Sequence, residues 1–252
     1  MPGMEPMEHI KYLARDGRLL ADAAAKAGTD AEVPTCPGWR VRDLLLHTGG
    51  VHRWATSLVV EGHTTPPALG AKPDLDGDEL IEWFREGHGL LVAALSSAPD
   101  DLVCWTFMPA PTPLAFWARR QAHETGIHRV DAESALGASP APMGAEFAVD
   151  GIDELLTGFH AGGRSKVRSD VPRVLRVRAT DTDAEWTVRI SGQPPRTERT
   201  EGTEQAPADC ELSGTAEQLQ LTLWNRLPLD SVTLTGDPAL ARLWRETSAI
   251  VM

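Results

Sequence analysis

QAHETGIHRVD, residues 121–131, sets His123 and His128 five positions apart with Glu124 directly after the first histidine. A zinc-protease helix instead carries H-E-x-x-H, whose two histidines share one face one turn apart. Five residues turn a helix of 3.6 residues per turn by about 140° past a full circle, so His123 and His128 cannot grip one cation from a regular helix. Glu124 and His128, at i and i+4, do share a face. The stretch therefore reads as half of a site that takes its remaining ligand from another helix, with His123 relegated to packing or to the surface.

The chain around it is helical for its first 140 residues or so. Ile10, Leu13, Leu20 and Ala24 recur at helical spacing over about 6–26. A second helix over about 40–61 follows the turn-rich TCPGW, a third over about 78–97 carries Leu80, Phe84, Leu91 and Leu95, and a fourth follows the proline-rich APTPLAFWARR. Four such helices predict a four-helix bundle. The texture changes near LGASPAPMG, residues 136–144. Beyond it come one helix in DGIDELLTGFHAGG, a hairpin of PRVLRVRAT and AEWTVRIS joined by TDTD, strands in ADCELSG and SVTLTG, and helices in TAEQLQLTLWNRL and DPALARLWRETSAIV. The expected architecture has two domains: an all-α bundle over 1–140, then a smaller α+β domain over 145–252. QPPRTERTEGTEQAPAD, residues 193–209, reads as a loop.

Composition narrows the function. A net charge of −12 argues against a phosphate-backbone partner. No run of 18 apolar residues is present and MPGMEPMEHIKYLARDG lacks the features of a signal peptide, so the expectation is a cytoplasmic protein with no nucleic-acid or membrane partner. Cys36, Cys104 and Cys210 are too few and too scattered for a disulfide framework and read as reduced thiols.

On the second helix the apolar stripe Leu44, Val51, Ala55 and Leu58 includes His47, which is expected to point inward, while His52 is expected in solvent. His47 from that helix and Glu124 with His128 from the fourth would bring N, O and N donors together, as helix bundles do around metals. Two histidines and one carboxylate leave a position open, the arrangement of a catalytic Zn2+, although Fe(II), Ni or Mn would also accept these donors. His88, in the third helix's stripe, competes as a ligand but reads more simply as core. Arg120 is placed either for an ion pair with Glu124 or for a substrate carboxylate, and Asp131 could orient His128. Cys36, in the turn before the second helix, reads as a turn or core residue.

TCPGWRVRDLLLHTGGVHRWA and WARRQAHETGIHRVDAESALG resemble the two hallmark segments of the mycothiol-dependent maleylpyruvate isomerase family. Its N-terminal domain is a DinB-like metal-binding bundle. The second half, from DGIDELL to LTLWNRLPLDSVTLTGD, is similar to the family's C-terminal domain of sterol-carrier-protein-2-like type. The resemblance implies metal ligands at His47, Glu124 and His128, the same trio, and an active-site arginine at Arg226. It also implies a divalent metal, Zn2+ foremost, with mycothiol as thiol cofactor and a small electrophilic substrate. The implied chemistry is addition of a metal-held thiolate to an activated alkene, rotation and expulsion, giving cis–trans isomerisation, or S-transfer where the adduct leaves. Two other readings stay open at this point: a metal-dependent hydrolase and a non-catalytic metal- or ligand-binding protein.

Overall fold

The computed structural model describes residues 3–137, 139–200 and 207–250. The chain divides into two compact units, Met1–Ala141 and Pro142–Met252. Four helices make the first: α1 (Pro6–Ala27), α2 (Val41–Glu61), α3 (Gly77–Ser97) and α4 (Pro113–Ser134). Local chemistry sets their ends. The Thr112 hydroxyl accepts from the Ala115 N–H at 3.1 Å, and Pro113 begins α4 where its missing N–H costs nothing. Helix α2 stops at Gly62, whose φ of 64° is left-handed.

Within the bundle α4 packs on α1 and α2, and α3 closes the other side against the same two helices. Leu20, Ala24, Val41, Leu44, Leu80 and Phe84 belong to a shared apolar core. Helix α4 departs from this pattern. Its buried residues run almost without a break from Phe116 to Ala132 and include Arg120, His123, Glu124, His128, Arg129 and Asp131. A helix this polar can be buried only when its charges find partners, so α4 is where the bundle concentrates its specific interactions.

The bundle's interior histidines show how closely the helices approach. The His88 ring lies over Gly17, where an added Cβ would come within 2.2 Å of it. There His88 Nε2 meets the Leu13 carbonyl at 3.0 Å, and burial lowers the ring's pKa. His88 is thus a core residue that joins α3 to α1.

The second unit begins with α5 (Ala145–Asp153), which starts five residues before the stretch marked out by the sequence and runs on as a π-helical turn over Glu154–Phe159. Its sheet has the order β3-β2-β1-β4-β5. Strands β1 (Arg173–Ala179) and β2 (Glu185–Ile190) form the expected hairpin, and β4 (Cys210–Gly214) lies parallel to β1. Strand β5 (Thr233–Gly236) pairs antiparallel with β4. The loop reading of residues 193–209 is corrected in part: Arg196–Thr200 form β3, an antiparallel edge strand on β2, while 201–206 lie outside the described residues. RTERT has no apolar alternation because a strand at a sheet edge is guarded by charge. Helices α6 (Ala216–Leu223) and α7 (Pro238–Thr247) complete the unit, and the Trp186 indole N–H donates to Asp153 at 2.8 Å, tying α5 to the sheet.

A buried histidine gives this unit a pH dependence. His160 follows the π-helical turn, shares a 2.9 Å hydrogen bond between Nδ1 and the Ser165 hydroxyl, and packs edge-on against Trp244 at 4.6 Å. Burial, aided by Arg168, lowers its pKa from 6.5 to about 4. The folded state therefore resists the proton that the unfolded chain accepts. Stability is unaffected above about pH 6.5 and declines as the pH falls toward 4, by roughly 1.4 kcal/mol per unit, or about 2 kcal/mol at pH 5. Urea unfolding of the whole chain at pH 7.5 and pH 5 should show a drop in stability that His160→Gln reduces; equal drops in the two proteins would exclude His160 as its source.

Candidate metal centre

Helices α2 and α4 bring His47, Glu124 and His128 together. One ligand atom from each lies within 4.8 Å of the other two. His47 Nε2 and His128 Nε2 both stand 3.3 Å from the same oxygen, Glu124 Oε1. In a tetrahedral zinc site with bonds of about 2.0–2.1 Å, neighbouring ligand atoms lie about 3.3–3.4 Å apart. Two of the three edges thus have the length that such coordination requires, and two imidazoles with one carboxylate suit the metal's preferences.

Each α4 member of the cluster is held from behind by another side chain. Arg120, one turn earlier, donates to Glu124 Oε2 at 3.1 Å, leaving Oε1 to face the histidines. His128 Nδ1 donates to Asp131 Oδ2 at 2.9 Å, and Asp131 Oδ1 accepts from the Thr35 hydroxyl at 2.6 Å. His47 is the most open of the three, its side chain 26% exposed. The Trp39 ring lies 5.2 Å from the His47 ring and stacks at 6.3 Å on that of His128.

The electrostatics follow from this packing. Burial alone would raise the Glu124 carboxyl, but hydrogen bonds from His128 and His47 and the charges of His128 and Arg120 hold it well below the usual carboxylate range. Burial would lower His128, yet Asp131 and Glu124 raise it to about 9. In the metal-free chain His128 thus keeps its proton through neutral pH, and a cation must displace that proton to bind.

Two histidines differ from the sequence reading. His52, expected in solvent, is fully buried and bonds Thr125 Oγ1 through Nε2 at 2.8 Å. The buried face of α2 is centred on Thr48 and His52, with Val51 and His47 toward its margin. Burial, and then the neighbouring His88, hold the His52 pKa well below its ordinary value. His123, left open between packing and surface, is buried and meets the His9 ring edge-on at 5.8 Å. The arginine reading also changes in its local detail. Helix α6 ends at Leu223, and Asn225 adopts a left-handed φ of 62°, so Arg226 sits in the turn beyond the helix with Nη1 bonded to the Trp224 carbonyl at 2.9 Å. None of the three cysteines forms a disulfide. Among the described residues no helix is long and apolar enough to cross a membrane.

Two family profiles match the chain: the mycothiol maleylpyruvate isomerase N-terminal domain over residues 11–133 and the MDMPI C-terminal domain over residues 146–243. The crystal structure of the mycothiol-dependent maleylpyruvate isomerase is similar, with a TM-score of 0.62, 15% identity, and coverage of 93% of this chain and 96% of that one. A histidine-to-alanine mutant of that isomerase gives a TM-score of 0.64 with the same identity and coverage. A protein described as a UbiJ-SCP2 ubiquinone synthesis protein covers 40% of this chain at a TM-score of 0.28, which carries no argument about the second unit. No curated protein matches the sequence.

Proposed function

The chain belongs to the mycothiol maleylpyruvate isomerase family, and on that premise we propose that it is a metal- and mycothiol-dependent enzyme acting on a small electrophilic alkene, with cis–trans isomerisation of a maleylpyruvate-like substrate as its reaction. S-transfer to the same class of electrophile is the other outcome open to such a site. The observation that carries the reading is the pair of 3.3 Å separations at Glu124 Oε1, which suit a divalent metal, Zn2+ foremost, held by His47, Glu124 and His128. Held by these three side chains, a divalent cation would supply the Lewis acidity that lowers a thiol's pKa and makes thiolate available at neutral pH.

The chain's own groups do the rest. Arg120 fixes the Glu124 carboxylate from behind through Oε2, which keeps Oε1 turned toward the two histidines. Glu124 stays ionised throughout the neutral range. Trp39 covers the two ligand rings on one side and limits the access of water there. The resemblance implies for Arg226 the pairing of a substrate carboxylate, for which a guanidinium fork is suited.

The test is the dependence of rate on thiol. The zinc-loaded protein should isomerise a cis-configured 2,4-dioxo acid of the maleylpyruvate type only when mycothiol is added, with a rate that saturates in thiol. Turnover unaffected by thiol would instead support metal-dependent hydrolysis, and zinc binding with no turnover on any electrophile would support a binding protein.

A further inference from the structure

The turn that precedes α2 touches the metal centre twice. Its backbone is closed on itself: the Cys36 N–H donates to the Val33 carbonyl, the Trp39 N–H to the Cys36 carbonyl, and the Val33 N–H to the Trp39 carbonyl, each at 2.9 Å. Gly38, at φ 86°, takes a left-handed conformation that a larger residue would adopt only under strain. Thr35 and Trp39 are therefore spaced by a small folded unit rather than by a slack loop. Trp39 meets the rings of His47 and His128, and Thr35 reaches behind His128 to the Asp131 carboxylate.

We propose that Thr35 and Asp131 are positioning residues for the metal: a relay from the Thr35 hydroxyl through the Asp131 carboxylate to His128 Nδ1 that turns Nε2 toward the ligand cluster. The inference rests on the metal reading of the site and assigns roles to two further residues. The Thr35 hydroxyl donates to Asp131 Oδ1 at 2.6 Å, which leaves Oδ2 to accept from His128 Nδ1 at 2.9 Å. With Nδ1–H held by Asp131, Nε2 is the nitrogen left to give up its proton and present a lone pair to a metal, and it is the one that stands 3.3 Å from Glu124 Oε1. Asp131 is fully buried, so its orientation is set by protein partners, Thr35 and His128 among them, and not by solvent.

Burying an aspartate three residues from a histidine on the same helix gives a bond that the helix alone does not hold well. Rotation of the Asp131 side chain about its own bonds could satisfy either oxygen and would let the His128 ring tilt. Thr35 takes the second oxygen from outside the helix and removes that freedom. Because the hydroxyl belongs to the same turn as Trp39, one folded segment fixes the azimuth of His128 and covers its ring face.

Zinc affinity measured by competition with a chromogenic chelator, on metal-stripped full-length protein, tests the proposal without reference to turnover. Asp131→Ala should weaken zinc by about 10–100-fold, the range found where partners of ligating histidines are removed. Asp131→Asn should fall between Ala and wild type, because an amide oxygen of the same size is a weaker acceptor than a carboxylate. Thr35→Val should lose a smaller factor, and Thr35→Ser, which keeps the hydroxyl, should restore the wild-type value. A packing role predicts that Asn and Val, which preserve volume, bind zinc as tightly as wild type, and that result would overturn the proposal. Glu124→Gln serves as the reference: if it too binds zinc normally, the metal reading falls and the positioning roles fall with it. If Glu124→Gln loses zinc while every Asp131 and Thr35 variant retains it, only the relay is wrong.

Discussion

Glu124→Gln should leave the protein folded and nearly free of zinc. Its carboxylate supplies the oxygen shared by both histidines at 3.3 Å, and it is the only anionic member of the trio. An amide of the same shape removes the charge and presents either a neutral oxygen or an N–H where a ligand lone pair is required. Changes to groups that only orient ligands already cost about 10–100-fold in affinity, so loss of the ligand itself should exceed about 100-fold. Thiol-dependent turnover should fall by about 10²–10³-fold, the scale of losing a preorganised electrostatic group at a reacting centre. The substitution also removes the ion pair between Arg120 and Glu124, both buried, so the metal-free variant should melt lower than metal-free wild type. Metal content by mass spectrometry, with circular dichroism to show the fold intact, separates the two effects. Full zinc occupancy in a folded Glu124→Gln protein would remove the proposed centre, and His47→Ala and His128→Ala should show the same loss of metal.

The limits of the first three long helices were legible to within a residue or two because their signals are local, whereas α4 begins at Pro113, inside the segment APTPLAFWARR that it was expected to follow. Gly62 marks the end of α2, and Thr112 followed by Pro113 is the start signal of α4 that the sequence reading passed over. That the trio would converge was legible for a similar reason: Glu124 and His128 need only helical spacing to share a face, and His47, expected to point inward, reaches them from the margin of α2's buried face. What escaped was polar burial. Reading α2 by its apolar positions alone gives a stripe through Val51, whereas the buried face is centred on Thr48 and His52, two polar residues that the packing satisfies or encloses. Helix α4 has no apolar stripe to find, since its charged residues are buried among partners from other segments. Those partners lie far off in sequence, as Thr35 does from Asp131, and no periodicity on one helix can reveal them. Strand β3 and the end of α6 were missed for different reasons. A charged edge strand looks like a loop, and the turn at Asn225 depends on a left-handed residue that helical periodicity does not anticipate.

The other large effect concerns folding rather than metal. Arg129, next to His128 in sequence, is fully buried in α4. It donates through Nη1 to Glu133 at 2.6 Å and to the Ala141 carbonyl, and its Nε lies 3.6 Å from Asp16 of α1. Asp16 is itself fully buried and accepts from Arg15 Nε at 2.7 Å. One guanidinium thus stands between two carboxylates and ties the end of α4 to α1. Arg129→Met keeps most of the side-chain volume but leaves both acids without their common cation, and breaking a buried pair from one side costs about 3–5 kcal/mol. For a chain of this size that corresponds to a fall in melting temperature on the order of 10 °C. The cost comes mainly from Asp16, fully buried and left with the partly exposed Arg15 as its paired cation. Adding Asp16→Leu to Arg129→Met should therefore recover a substantial part of the loss, since an apolar pair can replace a buried ion pair at little net expense. Zinc affinity should change far less in either variant than in Glu124→Gln, because Arg129 is bonded to none of the three ligands. A single substitution costing under about 1 kcal/mol, or a double variant no more stable than Arg129→Met alone, would show that the α1–α4 contact is held by its apolar packing and not by this ion pair.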